Sequence, residues 1–237
     1  MRNAIALIVA SALLVPGIAD AASRVIEGAT DAKPLKSLRL EAHVGEVEVQ
    51  AGDGDRITWR LTLEPDGDDG WFSRRDDAQR AVEGAEVRAT AAGDAWQLEL
   101  DLPRGIDFDD VEEHWEVTVP RRFAVEIDAN VGRVEVVGVA GGVEAELNVG
   151  ELRVEVPSGD VSVRANVGEV RVVSATKSPG EVRLSANIGD TDLRISGKTT
   201  KSGSSFGLGS MAVSSSSGGE DDITAKVNVG DVGVRIE

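Results

Sequence analysis

Asn148-Val149-Gly150-Glu151-Leu152-Arg153-Val154 is a pattern the chain uses again and again. Asn, then an aliphatic residue, then Gly, then alternating polar and apolar residues begins also at Asn130, Asn166, Asn187 (with Ile188 in the second place) and Asn228. The first three copies start 18 residues apart and the fourth follows 21 later. A worn copy, Gly207-Leu208-Gly209-Ser210-Met211-Ala212-Val213, divides the remaining gap into 20 and 21 residues. Upstream, His43-Val44-Gly45-Glu46-Val47-Glu48-Val49 carries the pattern with His in place of Asn. A fixed period this short marks turns of chain stacked one on the next.

Each period holds two short strands. Gly159-Asp160-Val161-Ser162-Val163 lies midway between Gly150 and Gly168, and Gly180-Glu181-Val182-Arg183-Leu184 precedes Gly189 in the same way. Strand side chains alternate between faces, so Val134 and Val136 point inward while Arg133 and Glu135 point out. Val131 breaks that parity because the chain bends at Gly132, where only Gly adopts positive φ without strain. The predicted fold is all-β: a flattened β-solenoid of roughly 18–21-residue coils. Its corners are Asn130 and Gly132, Asn148 and Gly150, Asn166 and Gly168, Asn187 and Gly189, and Asn228 and Gly230. Stacked Asn side chains hydrogen-bond in a ladder, so Asn130, Asn148, Asn166 and Asn187 are expected to form one column. Outward charges stack as well, with Glu135, Arg153, Arg171 and Asp192 on one face.

The remaining chain divides around this array. Residues 1–21 read as an export signal: Arg2, an apolar run from Ala4 to Val15, a Pro16-Gly17 break and Ala19-Asp20-Ala21 before the cut. Residues 22–34 are a lead-in, 35–63 hold the first coil and its strands, 64–115 are an insertion, and 116–237 form the repeat solenoid. The insertion is expected to hold acidic loops, a helix near 74–83 capped by Ser73, and strands at 86–91 and 95–102. Trp59, Trp96 and Trp115 fall on inward positions; Trp71 and Phe72, between an acidic loop and Arg74-Arg75, are the candidate partner contact. The Ser/Gly-rich stretch 196–222 is expected to be disordered around one poorly packed coil.

Charge narrows the partners. With 42 acidic and 25 basic residues the net charge is −17, which disfavours nucleic acid and anionic lipid. There is no Cys, hence no disulfide and no thiolate metal site. The acidic groups Asp66, Asp68 and Asp69, then Asp107, Asp109, Asp110, Glu112 and Glu113, then Glu220, Asp221 and Asp222, match no calcium loop and are expected to be solvated. His43 and His114 are the only histidines, with no hydrolase Ser context, so no catalytic, cofactor or metal residue is assigned. The strand 232–236 is read as an open edge that invites self-association.

Val117-Thr118-Val119-Pro120 followed by these Asn-Val-Gly coils resembles the bacterial putative-adhesin family of unknown function. Its members carry Val-x-Val-Pro and then Asn-Gly-Asp-Val-x-Val coils. The resemblance covers about residues 35–63 and 115–237 and departs in the Val between Asn and Gly and in the insertion. It implies a β-helix-like fold and an envelope location, with no catalytic residues. The expected function is an exported, periplasmic or cell-surface, non-enzymatic structural or adhesin-like protein that binds a protein or glycan and is not integral to the membrane. The alternatives are an envelope-stress or signalling module acting through 64–115, and a carbohydrate-active β-helix enzyme.

Overall fold

The structure, a computed structural model, describes residues 11–14, 23–66, 73–205 and 211–237. Its strands are β1 Ser11–Leu14, β2 Arg24–Asp31, β3 Ser37–Gly52, β4 Arg56–Pro65, β5 Glu86–Ala92, β6 Ala95–Asp101 and β7 Val111–Pro120. They continue as β8 Ala124–Val137, β9 Val143–Val156, β10 Val161–Ser174, β11 Pro179–Ile195, β12 Lys198–Ser205, β13 Met211–Ser216 and β14 Asp221–Ile236. One helix, α1 Ser73–Gly84, and a 3-10 turn, Phe108–Asp110, complete the described elements. The protein is nearly all β, one large sheet that does not close into a barrel.

The long strands double back on themselves. β8, β9 and β10 pair parallel and in register, yet 138–142 and 157–160 are all that joins them. A straight 14-residue strand runs about 46 Å, and five residues reach at most about 18 Å. Each long strand must therefore return toward its start. It turns at its glycine: Gly45, Gly132, Gly150, Gly168, Gly189 and Gly230 have φ between +132° and +141°. Before that bend β9 buries Val143, Ala145 and Leu147, and after it Leu152, Val154 and Val156. The two halves enclose one apolar core with the matching residues of the neighbouring rungs.

Residues 86–101 and 111–115 join the same sheet. β6 pairs parallel with the first half of β3, and β7 with its second half. β5 then extends the first face, and β4 and β2 extend the second, all antiparallel. The rung stack thus passes into two antiparallel flaps that share its core, Trp59, Trp96 and Trp115 included. α1 carries Ala78, Ala81 and Val82 to the interior.

Three expectations are corrected. β14 is not an edge: it lies between β10 and β11, parallel to both, so 232–236 are paired on either side. All rungs carry the same edge pattern, so sequence adjacency does not dictate stacking order. Residues 198–205 and 211–216 are not a disordered, worn coil; β12 and β13 run antiparallel along β11 and cover the far side of the stack. Residues 207–210 of that supposed copy lie outside the described residues. The Asn and charge columns are reordered in consequence, as follows.

Candidate interaction surface

The bends build a composite surface. Asn148 Nδ2 donates to Asn130 Oδ1, Asn166 to Asn148, and Asn228 to Asn166, each at 3.1 Å; Asn187 donates to Asn228 at 2.6 Å. The ladder therefore runs Asn130, Asn148, Asn166, Asn228, Asn187, with Asn228 inserted where Asn166 and Asn187 were expected to meet. Each amide donates toward the preceding rung, an ordered polar line.

Beside it runs an apolar line. Val131, Val149, Val167, Val229 and Ile188 occupy matching register positions on successive rungs and are 38–42 % exposed. At a spacing of about 4.8 Å they form a ridge about 19 Å long. Each precedes the bend glycine and sits on the outside of the turn, where core packing does not require an aliphatic residue. The sequence shows this as a parity break, to which it attaches no role.

The first rung differs. His43 stands beside Asn130 in the column, and its ring stacks on Phe108 with centroids 3.4 Å apart. Glu113, 1 % exposed, accepts from the His43 backbone N–H at 3.0 Å and from Trp115 Nε1 at 2.6 Å. The same carboxylate lies 3.1 Å from His43 Nδ1. Three polar partners satisfy this buried carboxylate, and the His43–Phe108 stack sets the 3-10 turn against the first rung. Glu113, grouped by sequence with carboxylates expected to be solvated, is instead buried, and the alternation Val111, Glu113, Trp115 already put it on the buried face. His114 faces Glu46, 3.4 Å away.

The outer charged face is interrupted. Gly233 intervenes between Arg171 and Asp192, so the predicted column of Glu135, Arg153, Arg171 and Asp192 has a gap. Over it lies an open groove of about 610 Å³, edged by Arg171, Arg235, Asp192 and Asp231. The ion pairs here are exposed; Arg153, held by the Glu155 carboxylate, has its pKa raised. At the opposite turn, Arg122 and Lys33 hold the Asp55 carboxyl below the usual carboxylate range, Arg122 donating at 2.7 Å. Such exposed pairs add little individually.

The acidic groups part company. Asp221 accepts from Thr176 Oγ1 at 2.5 Å, and Asp222 accepts from the Glu181 backbone N–H at 2.6 Å. Asp107 and Asp110 close the 3-10 turn, the Asp107 N–H donating to Asp110. Among the described residues no group of three His, Cys, Asp or Glu is placed to hold a metal. Asp68, Asp69, Trp71 and Phe72 lie outside the described residues, and so does most of the predicted export signal. No described helix is long and apolar enough to cross a membrane.

No family model matches the chain and no curated protein does. Among solved structures it is similar to a putative cell adhesion protein from Clostridium sporogenes ATCC 15579, with a TM-score of 0.56 and 12% identity. That match covers 91% of this chain and 100% of the other, and it shows a shared fold. A putative adhesin from Bacteroides fragilis NCTC 9343 matches at a TM-score of 0.33 and 12% identity, over 89% of this chain and 96% of its own.

Proposed function

We propose that this chain is an exported β-solenoid without catalytic activity, an adhesin-like interaction protein of the cell envelope. Its contact surface is the aliphatic ridge with the adjoining Asn ladder. The doubled-back, in-register rungs support the solenoid reading, and the apolar run after Arg2 supports export. One observation carries the function. Five β-branched side chains stand exposed in a single file, while the other Val, Leu and Ile positions of the rungs are largely packed inside. A contiguous exposed apolar line rimmed by polar groups marks an interaction site. The fold shared with the clostridial cell adhesion protein supports the same reading. The stack of His43 on Phe108 and its contact with buried Glu113 support a scaffold role for that histidine.

The experiment compares labelled protein with a Val149→Thr, Val167→Thr, Val229→Thr variant for binding to intact bacterial cells and to a glycan array. Val to Thr keeps the β-branched shape and adds a hydroxyl that the exposed position leaves in water. Binding that drops at least tenfold at an unchanged melting temperature supports the ridge as the contact surface. Equal binding by both proteins, or none by either at micromolar concentration, overturns it. Depolymerisation of any arrayed glycan overturns the non-enzymatic reading.

A further inference from the structure

The position of β14 has a consequence for how copies of this chain meet. β10 and β11 each pair with β14 in one register, Gly168 and Gly189 both opposite Gly230. Their own edges carry Asn166-Val167-Gly168 and Asn187-Ile188-Gly189, so they would match one another equally well in that register. β14 therefore fills a slot between two strands that are mutually complementary.

The chain reaches this arrangement through two short crossing links. Residues 175–178 carry the chain from β10 past β14 to β11, and 217–220 carry it from β13 past β11 into β14. Connections on one side of a sheet rarely cross. Here they touch: the N–H groups of Glu220 and Asp221 donate to Ser178 O at 3.1 and 3.2 Å, and Gly219 N–H donates to Pro179 O at 3.1 Å. Side chains have no room in the crossing. A Cβ on Gly219 would run into Ser178 O, and one on Gly180 into the Asp222 carboxylate. A four-residue hinge held this tightly is the circumstance that favours strand exchange between copies.

We propose that the slot between β10 and β11 is a strand-acceptor site whose ligand is a parallel Asn-Val-Gly rung. Within one molecule its own β14 fills the slot; between molecules the β14 of a second copy fills it, with 217–220 as the opened hinge. Every backbone pairing and Asn rung made in the closed monomer is remade across the two chains, and only the crossing is released. The net charge of −17 opposes the approach of two copies, so salt promotes exchange. This inference goes beyond the adhesive reading and does not depend on it, since no ridge residue is altered in its test.

The absence of cysteine makes the test clean. Arg164 and Lys226 are exposed and opposite each other on β10 and β14. Full-length Arg164→Cys and Lys226→Cys proteins are mixed, unfolded and refolded together, then treated with a short bis-maleimide. A covalent dimer that forms in the mixture, increases with salt and is absent from either variant alone is the expected result. The double variant in one chain should close internally and stay at monomer mass. Internal closure with no dimer in the mixture overturns exchange. Failure of the double variant to close overturns the placement of β14 on which the proposal rests. Inserting Gly-Ser-Gly-Ser after Gly218 should lower the dimer fraction severalfold by relaxing the hinge; an unchanged fraction removes the hinge from the mechanism.

Discussion

Gly150 shows how tightly a single residue is constrained here. Its φ is +141°, and a Cβ there would lie 1.8 Å from the carbonyl oxygen of Gly132 on the rung before. The same clash recurs at Gly168, Gly189 and Gly230, each against the glycine of the adjacent rung. Gly150→Val is therefore expected to cost more than about 4 kcal/mol in chemical denaturation. Glu151→Gln, outward and exposed, should stay within about 0.5 kcal/mol. Gly233 is the internal control, because a Cβ there meets nothing within 4 Å. Gly233→Ala should be neutral or stabilise by about 0.4–1 kcal/mol by restricting the unfolded chain. Comparable losses at Gly150 and Gly233 would refute the bend geometry. The tryptophans divide by the same logic. Trp115 donates to buried Glu113, whereas Trp59 Nε1 and Trp96 Nε1 are buried without a partner among the described residues. Trp115→Phe is expected to cost about 1–3 kcal/mol more than Trp59→Phe, since it strips a donor from a buried carboxylate.

Elements meet through ladders and clips. Asn166 both donates and accepts, so Asn166→Ala breaks two rungs of the ladder, while Asn130→Ala breaks the single bond to Asn148. All these amides are exposed and water takes over part of their bonding. The expected loss is about 1 kcal/mol for Asn166→Ala and less for Asn130→Ala, read from the denaturation midpoint. The Asp55 clip ties the turn between β3 and β4 to Arg122, just before β8. Its carboxyl pKa is lowered in the folded protein, chiefly by the Arg122 hydrogen bond and then by Lys33. A lowered carboxyl pKa means stability that is present above the unfolded-state value and lost as pH falls through the folded value. The difference between wild type and Asp55→Asn should therefore be constant near neutrality, begin to shrink near about pH 4 and vanish only once the pH lies below the folded-state value. A difference that persists at lower pH would assign the loss to something other than ionisation.

For the molecule as a whole, both ends of the rung stack are covered by antiparallel strands. On one side β6 and β7 continue the parallel pairing beside β3 and carry antiparallel β5 and β4 outside them; on the other β12 and β13 run antiparallel along β11. Antiparallel strands interrupt the repeating parallel edge that another rung would extend. Residues 116–237 alone would expose β8 and its apolar neighbours to water, since β3, β6 and the first half of β7 would be gone. That fragment is expected to aggregate or to melt well below the full chain, as followed by light scattering and circular dichroism. An independently folded, monomeric fragment would show that the flaps are dispensable.

The alternation and the Asn-Val-Gly period were sufficient for the rung strands, for which of their residues face inward, and for the bend glycines, because a period of two and a positive φ are local properties; they did not find β1, β2, β12 or β13. The two-residue connection at Ser196-Gly197, with φ of 52° and 72°, was not recognised, because it opens the Ser-rich stretch whose composition points to disorder. Of the ridge, the parity break at Val131 was visible; that five such residues align on successive rungs depends on the register between strands. The stacking order was not legible at all. Every rung presents the same edge, so hydrogen bonding and core packing do not distinguish the sequential order from one with β14 between β10 and β11. Contacts distant in sequence fix that order in the fold: Thr176 on Asp221, Glu181 on Asp222, and the glycines at the crossing. The sequence by itself determined the rung, its inward face and its bend. Only the tertiary structure decided which rung lies beside which, because identical edges carry no address and the links between them do.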